Sequence, residues 1–232
     1  MPCVARLLLV AGLSACLIVP SLADESSGKR EKPDAPGAAG RKAAEAKERR
    51  WQSLFDGKTL AGWHPIGKGQ WTIEDGVIVG RHDAGEKEYG HLVSDKSYKD
   101  FTIRLKFRSM EGNSGLYFRV AIDPKAFSGL SGFQAEIDPK NDVGGLYETN
   151  GRAWVVQPTP EQVKTYFKPG EWNEMTVTAK GRDVTVTVNG TVSAQLKDDP
   201  GKWTAGPFAL QVHGGQDVEV WFKDVEILEE GK

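Results

Sequence analysis

The chain reads as an all-β protein built from two packed antiparallel sheets, a β-sandwich or jelly roll. Three observations predict it. Short segments alternate apolar and polar residues with the period of two that a half-buried strand requires; turns containing Gly and Asn separate them; and no long helical pattern follows Trp51.

The elements follow in order. Residues 71–73 and 77–79 flank Glu74-Asp-Gly76, a tight turn between two short strands. In 101–107 the alternation is clean, with Phe101, Ile103, Leu105 and Phe107 on one face and Thr102, Arg104 and Lys106 on the other. Residues 175–179 turn through Lys180-Gly-Arg-Asp183 into a strand whose Val184, Val186 and Val188 face one way. Asn189-Gly190 suits a type I′ hairpin, because both of its central positions need positive φ. Val192, Ala194 and Leu196 then resume the pattern, and a long last strand, 218–228, carries Trp221 and Phe222. No internal repeat is evident.

Two neighbouring segments carry the chemistry: Asn113-Ser-Gly-Leu-Tyr-Phe-Arg119 and Gly132-Phe-Gln-Ala-Glu-Ile-Asp138. Regular alternation puts Tyr117 and Arg119 on one face, with Gln134, Glu136 and Asp138, while Leu116, Phe118, Phe133, Ala135 and Ile137 face the core. An antiparallel sheet with one wet face would show the same alternation. The other strands fill that face with residues such as Thr102, Lys106, Thr185 and Thr187. By contrast, 134–138 sets an amide and two carboxylates side by side, where poor β-propensity and like-charge repulsion both oppose them. The segment is therefore read as a site, with the polar equipment that a sugar needs.

The leader and the charge distribution bound the class. Arg6, the apolar run 7–19 and Pro20-Ser-Leu-Ala23 before Asp24-Glu25 have the form of a secretory signal, residues 1–23, cleaved after Ala23. The 13 residues of that run fall short of the roughly 20 that span a bilayer, so no transmembrane segment is expected and the location is secreted or periplasmic. Leu13-Ser-Ala-Cys16 is also compatible with a lipoprotein anchored through Cys16. Both cysteines, Cys3 and Cys16, lie in this leader, which leaves a chain starting at Asp24 without disulfide or thiolate chemistry. Residues 24–50 carry charge, Ala, Gly and Pro with almost no large apolar side chain, the composition of a disordered linker. Residues 51–232 form the folded domain, with 21 Lys or Arg against 26 Asp or Glu. That mildly acidic balance, with no basic stripe, argues against a nucleic-acid partner.

Other candidates are weaker. His64, His82 and His91 are scattered without metal-ligand spacing, so no metal site is expected. Asp138-Pro-Lys-Asn-Asp142 can offer oxygens to Ca²⁺ or form a plain polar turn. His213 shares a strand face with Gln211 just before Gly214-Gly215; a histidine there is a surface residue or a catalyst. Of the seven tryptophans, Trp71, Trp172 and Trp221 read as structural, whereas Trp63 and Trp154, near turns, are candidates to stack on a sugar ring.

Trp51-Gln-Ser-Leu-Phe-Asp-Gly-Lys-Thr-Leu-Ala-Gly-Trp63 resembles the opening of the 3-keto-disaccharide hydrolase domain family, long catalogued as a domain of unknown function. Further segments resemble it in the same order: Trp71 to Val77, the 113–119 and 132–138 segments, Gly144-Gly-Leu-Tyr147, Glu171-Trp-Asn173, Val188-Asn-Gly190 and Leu210-Gln-Val-His213. The chain departs from the family pattern in Phe222-Lys-Asp224, where many members have Phe-Arg-Asn, and in placing Gln134 before Glu136.

The resemblance implies a concanavalin-like jelly roll that cleaves 3-keto-glycosides by C2 proton abstraction, elimination of the C1 aglycone and hydration. It implies no cofactor, though Ca²⁺ is left open, and a separate sugar 3-oxidoreductase to supply the substrate. On this reading Glu136 or His213 is the base, Arg119 stabilises the enolate, and Asp138 or Glu136 is the acid. Asn113, Tyr117, Gln134, Tyr147, Trp63 and Trp154 bind substrate. Two rivals stand beside it. One is a non-catalytic carbohydrate-binding module; the other is a laminarinase-like glycosidase suggested by Glu136-Ile-Asp138, whose expected second Glu is replaced by the region of Asn141 and Asp142.

Overall fold

A computed structural model describes residues 51–229. The leader, the Cys16 anchor and the linker expected from the sequence lie outside the described residues.

Among the described residues fifteen strands form two sheets in which every pairing is antiparallel. The first sheet contains β1 (Gln52–Ser53), β3 (Gln70–Glu74), β4 (Val77–His82), β6 (Phe101–Glu111), β11 (Asn173–Lys180), β12 (Asp183–Val188), β13 (Thr191–Leu196) and β15 (Val218–Glu229). Its order is β13-β12-β11-β6-β15-β4-β3, with β1 on the far end of β15. The second contains β2 (Trp63–Gly67), β5 (Gly90–Ser94), β7 (Ser114–Ile122), β8 (Leu130–Ile137), β9 (Leu146–Thr149), β10 (Ala153–Val156) and β14 (Ala209–Val212), in the order β10-β9-β8-β7-β14-β5-β2. This is the predicted all-β sandwich.

The core lies where the alternation put it. Phe101, Ile103, Leu105 and Phe107 of β6 and Val184, Val186 and Val188 of β12 are buried against Leu116, Phe118, Phe133, Ala135 and Ile137 of the other sheet. The turns also obey their residues: Asn189 and Gly190 have φ of 50° and 81°, and Asp75 and Gly76 of 50° and 78°, the paired positive values of a type I′ hairpin. Among the described residues one short helix, α1 (Pro160–Tyr166), starts at a Thr159/Gln162 capping box with Pro160 in its first turn, and buries Val163 and Tyr166.

A bulge in β7 changes one expectation. Between Phe118 and Ala121 the β7–β8 register shifts, and Arg119 takes a left-handed φ of 52°. Gly132 and Gly206 make room for it: a Cβ on Gly206 would fall 2.4 Å from the carbonyl oxygen of Val120, and one on Gly132 2.9 Å from the Val120 Cα. The bulge breaks the period of two, so Arg119 no longer shares a face with Tyr117.

Candidate active site

Strand pairing builds the site as two rows on the outer face of the second sheet. One row runs Trp154, Tyr147, Gln134, Tyr117, Ala209; the next runs Glu136, Gly115, Gln211, His91. The intervening row, Leu146, Ala135, Leu116, Leu210, Leu92, points into the core. Period two thus separates core from chemistry strand by strand.

The two polar rows floor a cavity of about 340 Å³ lined by Asn113, Tyr117, Gln134, Glu136, Tyr147, Trp154 and His213. All seven were expected at the site from the sequence. Tyr89, Gln211, Thr149, Asn150 and the loop residues Phe127 and Ser128 complete it, and no Lys or Arg lines it.

Glu136 is the carboxylate of this cavity, 5% exposed. Asn113 Nδ2 donates to its Oε1 at 2.9 Å, while the Asn113 Oδ1 is buried without a partner. Burial, followed by the negative charges of Asp138 and Asp142, pushes the Glu136 carboxyl up to about 8, against the opposing Asn113 hydrogen bond. It therefore carries its proton at neutral pH.

His213 holds the opposite protonation logic. Its Nδ1 sits 2.7 Å from the Gly214 carbonyl, which can only accept, so Nδ1 carries the hydrogen. Burial lowers its basicity, which leaves Nε2 as a free lone pair that accepts from the Tyr89 hydroxyl at 2.6 Å. Tyr89 is itself pushed up to about 12, by burial first and by Glu136 second. Tyr89 and His213 are thus a neutral, hydrogen-bonded donor–acceptor pair, their rings 4.3 Å apart.

Amides and hydroxyls fix the remainder. Gln134 Nε2 donates to Gln211 Oε1 at 3.0 Å, and the Tyr117 hydroxyl shares a 3.0 Å hydrogen bond with Thr149. Gly115 lies beneath them because a Cβ there would fall 2.4 Å from Gln134 Nε2. Trp154 stands edge-on to Tyr147 with ring centres 5.2 Å apart.

Three expected site residues are elsewhere. Arg119, 1% exposed, is turned away by the bulge and donates to the carbonyls of Lys99, Gly181 and Trp203 and to Asp100, so it clamps loops and cannot meet an enolate in this cavity. Trp63, 7% exposed, packs in the core with its Nε1 donating to the Leu54 carbonyl at 2.7 Å, and offers no sugar platform. Asp138 stands past the end of β8, where its Oδ1 accepts from the Lys140 N–H; it acts on Glu136 and His213 through its charge and does not line the cavity. Asp142 accepts from Gln157, and the N–H groups of Asn141 and Asp142 both turn back to the Asp138 carbonyl. Among the described residues no group of three or more His, Cys, Asp or Glu is placed to hold a metal ion.

Sequence reasoning missed Tyr89 because it stands in an irregular loop just before β5, where no alternation flags it. Gln211 carried a signal, its shared face with His213.

A family model described as the 3-keto-α-glucoside-1,2-lyase-like domain matches residues 50–228. The chain belongs to that family. The 3-keto-disaccharide hydrolase of Bacteroides thetaiotaomicron is 36% identical over 75 residues, which cover 28% of this chain and 26% of that protein. The match thus spans about a quarter of the relative's length. The structure of a presumptive glycosyl hydrolase from Parabacteroides distasonis is similar with a TM-score of 0.60 and 26% identity, over 81% of this chain and 97% of that one. The carbohydrate-binding module CBM66 of Bacillus subtilis shares the fold at a TM-score of 0.55 and 23% identity, over 72% and 96% of the two chains. Among the described residues no helix is long and apolar enough to cross a membrane.

Proposed function

We propose that this protein cleaves 3-keto-glycosides by elimination at C1–C2 followed by hydration. The observation that carries the reading is one cavity holding a buried carboxyl, Glu136, and a hydrogen-bonded imidazole–phenol pair, His213 and Tyr89; burial favours the neutral form of each. Family membership supplies the substrate class.

The chemistry follows from those protonation states. A ketone at C3 acidifies the hydrogen on C2. Tyr89 takes that proton as it passes its own to His213 Nε2, so the pair acts as one base. As the C2–H electrons form the C1=C2 bond, the C1–O bond breaks and Glu136 gives its proton to the departing oxygen. Water then adds, hydroxyl to C1 and hydrogen to C2, and the proton inventory of the three side chains is restored. No Lys or Arg side chain lines the cavity, and the amides of Gln134 and Gln211 in its floor are the neutral donors offered to the developing enolate. The unpartnered Asn113 Oδ1 is an acceptor for a sugar hydroxyl. The substrate's ketone is the product of an alcohol oxidation, so a sugar 3-oxidoreductase acts before this protein.

A retaining glycosidase needs two carboxyls about 5 Å apart. Glu136 has no carboxylate companion among the residues lining the cavity, which disfavours that mechanism. Turnover in D₂O tests the proposal: hydration of an enone puts deuterium on C2 of the sugar product faster than uncatalysed exchange, while direct displacement at C1 leaves C2 unlabelled and contradicts it. A binding module would give no product at all.

A further inference from the structure

The row that begins at Glu136 does not end at the sugar cavity. It continues Glu136, Gly115, Gln211, His91, Ile66 across β8, β7, β14, β5 and β2, a span of roughly 19 Å at about 4.8 Å per strand. Over its far half lies a second cavity of about 390 Å³, which shares Tyr89, Phe127 and Ser128 with the lining of the first. The two differ in chemistry. Amides, hydroxyls and Glu136 line the first, whereas Ile66, Ile122, Pro124, Ala126 and the Phe127 ring give the second a broad apolar wall beside Glu88, His91 and Ser128.

We infer that this second cavity is the aglycone subsite and that it takes an aryl or comparably flat apolar group. The inference rests on the elimination reading for the position of the sugar and deepens it. Phe127 is 82% exposed and meets Tyr89 edge-on at 5.5 Å, so a large aromatic surface stands uncovered at the junction of the two cavities. Ile122, also exposed, adds a second apolar face. In the floor, His91 is 1% exposed with Nε2 unpartnered, and its ring lies parallel to that of Tyr89 with centres 6.3 Å apart. A second sugar in that position would set part of its hydroxyls against the alkyl groups of Ile66, Ile122 and Ala126. An aryl ring instead gains burial against Phe127, Ile122 and Ile66. With a sugar ring over Gln134 and Tyr147, the glycosidic bond falls near Glu136 and the leaving group points along the row towards His91.

The test compares benzyl and methyl 3-keto-α-glucosides, whose leaving alcohols are of similar acidity, so that a difference reports binding of the ring. The benzyl compound is expected to have a kcat/KM roughly tenfold or more higher, and Ile122→Ser and Ala126→Glu, both outside the sugar cavity, remove that preference with methyl turnover unchanged. Calorimetric binding of the same pair to Glu136→Gln gives a second readout independent of turnover. Tighter benzyl binding, abolished by adding Ile122→Ser, upholds the subsite even if the wild type turns over neither compound, an outcome that sinks the elimination reading alone. Equal binding of the two, or a benzyl preference that both substitutions leave intact, overturns the subsite.

Discussion

Glu136 and His213 owe their roles to burial acting with opposite sign on an acid and a base. Burial favours the neutral form of each, which raises the carboxyl to about 8 and lowers the imidazole below its ordinary value. Catalysis needs the carboxyl protonated and the imidazole free, so kcat/KM should follow a bell. It rises as His213 loses its proton, below about 6.5, and falls as Glu136 ionises near 8. In Glu136→Gln the alkaline limb disappears and kcat falls by roughly 10²–10⁴, the usual worth of a general acid. A retained alkaline limb in that variant would assign it to another group. The same shift has a stability sign. A raised folded-state value means that the Glu136 contribution is complete below about 4.5 and is lost as pH rises through about 8. Glu136→Gln, which keeps an acceptor for Asn113, should therefore gain in Tm over the wild type as pH goes from 5 to 9; a constant difference would mean that Glu136 is not desolvated as described.

At the scale of elements, the β7 bulge and the glycine beside it separate structure from chemistry. Arg119 satisfies three backbone carbonyls from a buried position, so Arg119→Met should cost about 3 kcal/mol or more, a Tm loss of about 6–12 °C in a domain of this size, with kcat per folded molecule unchanged. A large kcat loss without a Tm change would return Arg119 to the mechanism. Gly115→Ala should do the reverse, since its methyl group displaces the Gln134 amide from Gln211 while the flexible side chain absorbs the clash. Turnover falls and Tm moves little; unchanged turnover would show that the amide pair has no part in it. These two positions also mark how far the sequence could be read. Alternation located Gln134, Glu136 and Tyr117 because regular pairing preserves parity, and the Asn189-Gly190 hairpin was legible because φ is set by residue type. Arg119 was misplaced because a one-residue bulge reverses parity, and nothing in Phe118-Arg-Val120 announces one. Trp63 was misplaced because proximity to a turn says little about burial in a strand whose first residue points inward. Tyr89 and the loop carrying Phe127 reach the site through tertiary packing alone, with no periodic signature.

For the molecule as a whole, the sandwich divides its labour by sheet. The first sheet sets Thr102, Arg104 and Lys106 outward and closes the core with the opposite side. The second turns an unusual set of amides, phenols and one protonated acid to its outer face, where the chain's family membership places a sugar chemistry within reach. That face has a stability cost, because Glu136, Gln134, Gln211 and His91 are all buried there. A rigid two-sheet core offsets it and holds the rows in register. The measurement that bears most directly on this account is turnover of a 3-keto-α-glucoside carrying a chromogenic aglycone, beside its unoxidised parent, by the wild type and Glu136→Gln. Release from the keto sugar alone, lost in the variant, is the predicted result; equal release from the unoxidised parent would contradict elimination and return the site to ordinary glycoside hydrolysis.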